Sequence, residues 1–258
     1  MFVTEIRIII YKILIIVLEL LGLLYQLLNI KKLQLFYIPR EDNNIIGGDE
    51  FKHCIKVLRK KKNDKILFTD GEGNLYSSHI DKINKHYCNL NKIKKIKSVE
   101  KSIELEVAIS LIKSQSRLEW MVEKLSEIGV CSISFVITRH SERKKLKYQR
   151  LTKKTISALK QCKSLFLTDL NEAVSFDNFI RQHRETDNKF YADIDYNKKF
   201  NSSLEGKKCL LIIGPEGDFS ENEKKLMSDN GFKKISLGNN ILRTETAAVV
   251  GGYLLKNL

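Results

Sequence analysis

Two stretches near the carboxyl end constrain this chain more than anything else in it. In the first, apolar Leu210-Leu211-Ile212-Ile213 runs into Gly214-Pro215-Glu216-Gly217-Asp218-Phe219-Ser220. In the second, Ser236-Leu237 runs into Gly238-Asn239-Asn240-Ile241-Leu242-Arg243-Thr244-Glu245-Thr246-Ala247-Ala248. Each passes from a strand-like segment, through a glycine turn, into a segment with helical signals. Two such units close together point to a ligand site at the carboxyl ends of parallel strands.

The residues upstream carry the same alternation. Leu105, Val107, Ile109 and Leu111 alternate through Ile103–Ile112 and read as a strand. Ser116-Arg117-Leu118-Glu119 has the form of a capping box, and the helix behind it aligns Leu118, Met121, Val122, Leu125 and Ile128 before Gly129. A strand at 133–137, a helix at about 148–161, and strands at 189–194 and 209–213 follow, with a loop over 181–188. Ser220 and Glu223 form a second capping box, and Gly231 is a helix end. Strands alternating with helices imply an α/β domain with a parallel sheet, spanning 101–258.

Residues 33–98 read differently. Leu33–Tyr37 opens as a strand, and Asp49 can cap a helix carrying Phe51, Cys54, Ile55 and Leu58 on one side. Ile66-Leu67-Phe68 and Leu75-Tyr76 flank the turn Asp70-Gly71-Glu72-Gly73-Asn74, which makes a hairpin. Further strands over 80–83 and 87–96 complete a small β-rich barrel with one helix.

Charge speaks to partners. The formal net charge is +14, and basic domains offer Lys and Arg to phosphate because neutralising a polyanion releases counterions. Lys56, Arg59, Lys60, Lys61 and Lys62 form one basic run, Arg139, Arg143, Lys144 and Lys145 another, and Arg40 stands beside the first strand. Of these, Arg40, Lys56, Arg59, Arg139 and Arg143 are the candidate RNA contacts. The five cysteines include no CxxC pair and the histidines are scattered, so neither a metal centre nor a disulfide framework is expected and a cytoplasmic location fits.

One segment stands apart. Residues 8–28 are almost wholly apolar, interrupted by Lys12 and Glu19. The length suits a bilayer, but each internal charge costs a few kcal/mol near the bilayer centre. A membrane anchor, a buried helix and an extension foreign to the fold compete. The expectation adopted is that residues 1–32 are dispensable to the functional fold. They carry four of the cations and two of the acids, so the remainder is still +12.

The loop chemistry narrows the ligand. Gly214 and Gly217 let a ligand approach the backbone, and Pro215 stiffens the turn. No Lys-Ser or Lys-Thr follows, and Glu216 opposes a polyphosphate. A ligand with a cationic end, or a nucleoside, fits better. Apolar Leu237, Ile241 and Leu242 would hold an adenine, with Arg243 aimed at a reaction centre. The plain structural alternative is two ordinary turns with Arg243 and Glu245 as a surface ion pair.

Gly214-Pro215-Glu216-Gly217 followed by Leu237-Gly238 and Ile241-Leu242-Arg243-Thr244-Glu245-Thr246-Ala247 resembles the signature of the RsmE family, the SPOUT-class ribosomal RNA uridine-N3 methyltransferases. The resemblance extends over about 33–258 through His53, Val57-Leu58-Arg59, Asp70-Gly71, Tyr76, Lys124–Val130 and Gln161. It implies a PUA-like RNA-binding domain at 33–98 and a methyltransferase domain at 101–258 with a trefoil knot. It also implies a homodimer that uses S-adenosylmethionine to methylate N3 of a uridine in 16S small-subunit ribosomal RNA. By the resemblance Ile213, Gly214, Pro215, Glu216, Gly217, Leu237, Gly238, Ile241, Leu242 and Thr244 line the cofactor, and Arg243 and Glu245 stand near the transferred methyl or hold the knot. Two positions depart from the pattern: Asp218 replaces a common glycine, and no arginine follows Gln161. The rival readings are a SPOUT enzyme acting on tRNA or a ribose, a non-catalytic ribosome-binding protein, and a membrane-anchored protein.

Overall fold

The computed structural model describes residues 34–42, 44–141, 146–196, 204 and 206–258. The expectations for residues 1–32 and for Arg143 lie outside the described residues. Among those described, no helix is long and apolar enough to cross a membrane. The chain divides into two compact units. One is built on the described residues up to Phe36 with Asn44–Phe68 and Tyr76–Lys95; the other takes a short segment from Tyr37, Thr69–Leu75, and everything from Ile96.

The first five strands form one sheet in the order β1-β3-β4-β5-β2: β1 Leu35–Tyr37, β2 Ile45–Ile46, β3 Lys65–Thr69, β4 Asn74–Ile83 and β5 Cys88–Ser98. Ile66, Leu67 and Phe68 are all buried, as a continuous apolar run requires, and Phe68 stacks on Tyr76 with ring centroids 4.9 Å apart. The residues read as separate strands at 75–76 and 80–83 are parts of one strand, β4. Helix α1 covers Gly48–Lys52 and continues as a π-helical turn, His53–Val57, burying Phe51 and Cys54. Its N-cap is Gly47, which corrects the role expected for Asp49. Asp49 stands inside the first turn, and its carboxylate pairs instead with Lys52 at 3.1 Å.

The second unit is an α/β layer. Its elements are β6 Glu104–Ser110, α2 Gln115–Glu127, β7 Ser132–Ile137, α3 Tyr148–Cys162, β8 Asp169–Ser175, α4 Phe176–Gln182, β9 Asn188–Ala192, β10 Lys208–Ile213, α5 Glu221–Asp229, β11 Lys233–Ile235 and α6 Thr244–Lys256. The sheet order is β11-β9-β10-β6-β7-β8, and every neighbouring pair is parallel. Side chains alternate across a strand, so β6 and β10 feed two cores. Leu105, Val107, Ile109 and Leu211 pack with Leu118, Met121, Leu125, Ala248 and Leu255 on one face. Ala108, Leu210 and Ile212 pack with Phe176, Phe179, Ile180 and Met227 on the other. Helices on both faces are what a parallel sheet needs to bury its apolar strands.

Helix α2 begins two residues earlier than its sequence suggests. Ser114 is the N-cap and accepts from the Arg117 amide, whereas Ser116 lies inside the helix. Glu119 therefore does not close a capping box: Gln115 donates to it, and Arg150 pairs with it at 2.7 Å. The second capping box is formed as read, with Ser220 accepting from the Glu223 amide and Glu223 from that of Ser220. The sequence pattern marks neither strand β8 nor helix α4, and the last two residues of α4 fall in the stretch expected as a loop.

Gly73 makes a sharp test of the turn after β3. Its φ is +95°, and an added Cβ would lie 2.5 Å from the Val99 carbonyl oxygen and 2.7 Å from the Phe166 ring. Both the backbone conformation and the contact penalise any side chain. Gly73→Ala is expected to lower stability by roughly 2–3 kcal/mol, read from the midpoint of urea denaturation.

Candidate active site

Strands β11, β9 and β10 lie side by side and parallel, so their carboxyl ends open on one edge. The segments that leave them line an open pocket, with about 600 Å³ of empty space when the open solvent at its mouth is counted. Eight residues expected at a cofactor line it: Ile213, Gly214, Pro215, Leu237, Gly238, Ile241, Leu242 and Thr244. Ala192, Asp193 and Ile194, from the end of β9, and Asp218, Asn239, Asn240 and Ala247 complete the wall. Glu216 and Gly217 lie outside that lining.

The first loop has little freedom. A Cβ on Gly214 would stand 3.0 Å from the Phe219 ring, so the chain folds back over a residue that must be small. The Asp218 amide donates to the Pro215 carbonyl at 3.0 Å, closing the turn between them. Asp218 has φ +59°, a left-handed conformation that most side chains disfavour but Asp tolerates better than others. Thr244 ties this loop to the second one: its hydroxyl donates to the Gly214 carbonyl at 3.0 Å, and the residue is buried.

Charge is concentrated on one side of the pocket. Lys224, on α5, pairs with Asp218 at 2.8 Å and with Asp193 at 3.5 Å, and Lys234 pairs with Asp193 at 2.7 Å. Burial favours the neutral form of Lys224, but the hydrogen bond to Asp218 and nearby carboxylates hold its ammonium above the usual lysine range. Burial likewise opposes ionisation of Asp193, yet the Lys234 hydrogen bond and neighbouring cations keep its carboxyl below the usual range. Both groups are therefore charged near neutral pH. A pocket with apolar walls and charged groups of both signs along one flank suits a nucleoside with a charged tail, and S-adenosylmethionine has that chemistry.

Arg243 and Glu245 stand around a second, shallower concavity with Ser116, Arg117, Trp120 and Thr246. Glu245 is 6% exposed, and its cationic partner is Arg117, with Nε 3.5 Å from Oε1. Its Oε2 is buried without a hydrogen-bond partner. Arg117 also donates to Glu216 at 2.9 Å, so one guanidinium bridges the first loop and the start of α6. Arg243 is the N-cap of α6 and exposed. Sequence reading missed Arg117 as a site residue because both partners are distant in the chain.

The four candidate RNA contacts among the described residues are exposed. Lys56 and Arg59 belong to the first unit. Arg40 pairs with Glu72 at 3.2 Å. The Arg139 amide donates to Glu223 at 2.9 Å, with its side chain at the surface of the second unit. His140 follows, its Nδ1 3.1 Å from the Asp218 carbonyl. Removing Arg117 leaves a buried carboxylate without its cation. Arg117→Ala is expected to cost about 1–3 kcal/mol in urea denaturation, and adding Glu245→Gln recovers part of it by removing the uncompensated charge.

Comparisons with known proteins agree with this geometry. A family model described as an RNA methyltransferase domain matches residues 99–255, and one described as an RNA methyltransferase PUA domain matches 46–93. The ribosomal RNA small subunit methyltransferase E of Rickettsia conorii is 29% identical over 212 residues, covering 79% of this chain and 85% of that protein. A probable rRNA-methyltransferase from Porphyromonas gingivalis, solved as a crystal structure, is 32% identical with a TM-score of 0.79, covering 87% of this chain and 98% of that one. A Legionella pneumophila protein described as a methyltransferase, solved with the cofactor SAM bound, is 25% identical with a TM-score of 0.77, covering 88% and 98%. With an α/β unit of parallel strands, a pocket at their carboxyl ends and these matches, the chain belongs to the RNA methyltransferase family, in the group of ribosomal RNA small subunit methyltransferase E, the RsmE family.

Proposed function

We propose that this protein methylates N3 of a uridine in 16S small-subunit ribosomal RNA, using S-adenosylmethionine. The observation that carries the reading is the single pocket that two glycine loops, tied by Thr244 and Gly214, form at the strand ends of a chain in this family. Leu237, Ile241, Leu242 and Ile213 supply apolar walls for an adenine. Gly214 and Gly238 let backbone polar groups reach it. Asp193 and Asp218, each paired with a lysine, form the charged flank that would meet the cofactor's polar tail. The cofactor supplies an electrophilic methyl group on a sulfonium.

The remaining work falls to the protein and concerns the base. Uridine N3 carries a proton and is hidden when paired, so the base has to be presented unpaired and its anion stabilised. Exposed Arg243 can donate to a uracil oxygen as negative charge develops. Glu245, with one free oxygen, is a candidate to accept the proton: the N3–H bond breaks, its electron pair stays on nitrogen, and the carboxyl gains the hydrogen. Arg117 then holds Glu245 and the Gly214–Gly217 loop in one geometry, and such positioning accounts for much of a two-substrate reaction. Lys56, Arg59, Arg40 and Arg139 are read as contacts to RNA phosphate, which orient without selecting sequence.

The finer architecture belongs to the same reading. After β10, in mid-sheet, the chain crosses to β11 at the edge beyond β9, and α6 then packs back on β6 and β10. That path supports a trefoil knot in the last fifty residues. The five-stranded sheet is read as part of a PUA-like barrel, the protein as a cytoplasmic homodimer, and residues 33–98 and 101–258 as its two domains.

The test is methyl transfer from labelled S-adenosylmethionine to small subunits whose RNA lacks the modification, with the product nucleoside identified by mass spectrometry. N3-methyluridine is the expected product; a ribose-methylated nucleoside, or label only in tRNA, would overturn the assignment. Arg243→Ala is expected to reduce turnover at least about a hundredfold while cofactor binding persists, and wild-type turnover would remove Arg243 from the mechanism.

A further inference from the structure

The turn at Asp218 poses a problem that the proposed reaction does not explain. A residue with a side chain occupies a left-handed position on the pocket wall, where a glycine would carry no strain. The turn it ends sends Phe219 back over Gly214, and so shapes the floor of the pocket. What holds the side chain is Lys224. Its ammonium contacts the Asp218 carboxylate at 2.8 Å, and also Asp193, which follows β9 on the same pocket wall. Exposed ion pairs contribute little, but this one is not exposed. The Lys224 side chain is 13% accessible, that of Asp218 25% and that of Asp193 only 1%.

We propose that Lys224 is a positioning residue for the cofactor pocket, tethering the left-handed Asp218 turn to the end of β9. Lys224 does not line the pocket. It sits behind the wall and joins two of its segments, one from the loop after β10 and one from the loop after β9. The ammonium lets three constraints hold at once: the turn closed on Pro215, Phe219 against Gly214, and Asp193 buried as a carboxylate. Without it, Asp193 and Asp218 face each other with one cation fewer, and the strained turn loses its side-chain tether and keeps only the backbone contacts to Pro215 and His140. The loop then relaxes, and the pocket has to be rebuilt each time a ligand binds. Such a reorganisation penalises every ligand of the pocket alike, which separates positioning from a direct charge effect. The inference rests on the reading of this pocket as the S-adenosylmethionine site.

A double-substitution cycle tests it in the full chain. Wild type, K224M, D218G and D218G/K224M are titrated by calorimetry with S-adenosylmethionine and with S-adenosylhomocysteine, which lacks the sulfonium charge. K224M is expected to weaken both about tenfold. In the D218G background, where glycine adopts the turn without strain, the same substitution is expected to cost less than about twofold. K224R, whose guanidinium can span both carboxylates, is expected to restore most of the affinity. In steady-state methyl transfer K224M raises the KM for the cofactor and leaves kcat largely intact. K224Q, a milder replacement, is run beside K224M so that a misfolded variant does not end the test. Equal affinity of wild type and K224M overturns the proposal. So does a loss confined to the charged ligand, or a loss of full size in the D218G background. If wild type binds neither compound, it is the cofactor reading itself that fails.

Discussion

A hydrogen bond from the Thr244 hydroxyl to the Gly214 carbonyl holds together the part of the molecule that matters for function. It joins two loops thirty residues apart in sequence, with Thr244 buried and Gly214 partly buried. Both loops leave strands of one parallel sheet, so their approach follows from the register of β9, β10 and β11. What the side-chain bond adds is a fixed separation. With it, apolar Leu237, Ile241 and Leu242 face Gly214 and Pro215 across one pocket. Two turns that could each exist alone become two halves of a single wall.

Around that bond the charges are arranged in two bridges. Arg117 reaches from α2 to Glu216 and Glu245, and Lys224 reaches from α5 to Asp218 and Asp193. Each connects a loop to an element of the rigid sheet-and-helix frame. Low exposure of Glu245, Lys224 and Asp193 makes their contacts worth more than surface pairs and makes their loss costly, since a stranded buried charge has no water to turn to; the Arg117–Glu216 contact lies at the surface. The site is thus preorganised from behind, by residues outside the cofactor pocket.

Much of this was legible in the sequence, for physical reasons that also explain what was not. The capping box at Ser220 and Glu223 is local, and its two residues suffice to form it. Alternation through β6 and the apolar run of β10 reflect burial on both faces, which composition alone reveals. Strand β8 was missed because it is the sheet's edge: Asp169, Asn171 and Glu172 are open to solvent, and no apolar run marks it. Ser114 and Ser116 are chemically equal as caps, and only the backbone, extended at Ser114, chose between them. The glycine loops and eight of their pocket residues could be named from type and spacing. Arg117 could not, because Glu216 lies ninety-nine residues away and an arginine on a helix otherwise looks like a solvated face. Asp218 stood out by being where glycine is common, but its answer in Lys224 became visible only in three dimensions.

Amide hydrogen exchange with and without S-adenosylmethionine shows whether the two loops are one cofactor pocket. The cofactor is expected to slow exchange in both segments together, 214–218 and 237–242, with the first unit's strands unchanged. Protection of one segment alone, or of neither while the protein still binds the cofactor, would contradict it.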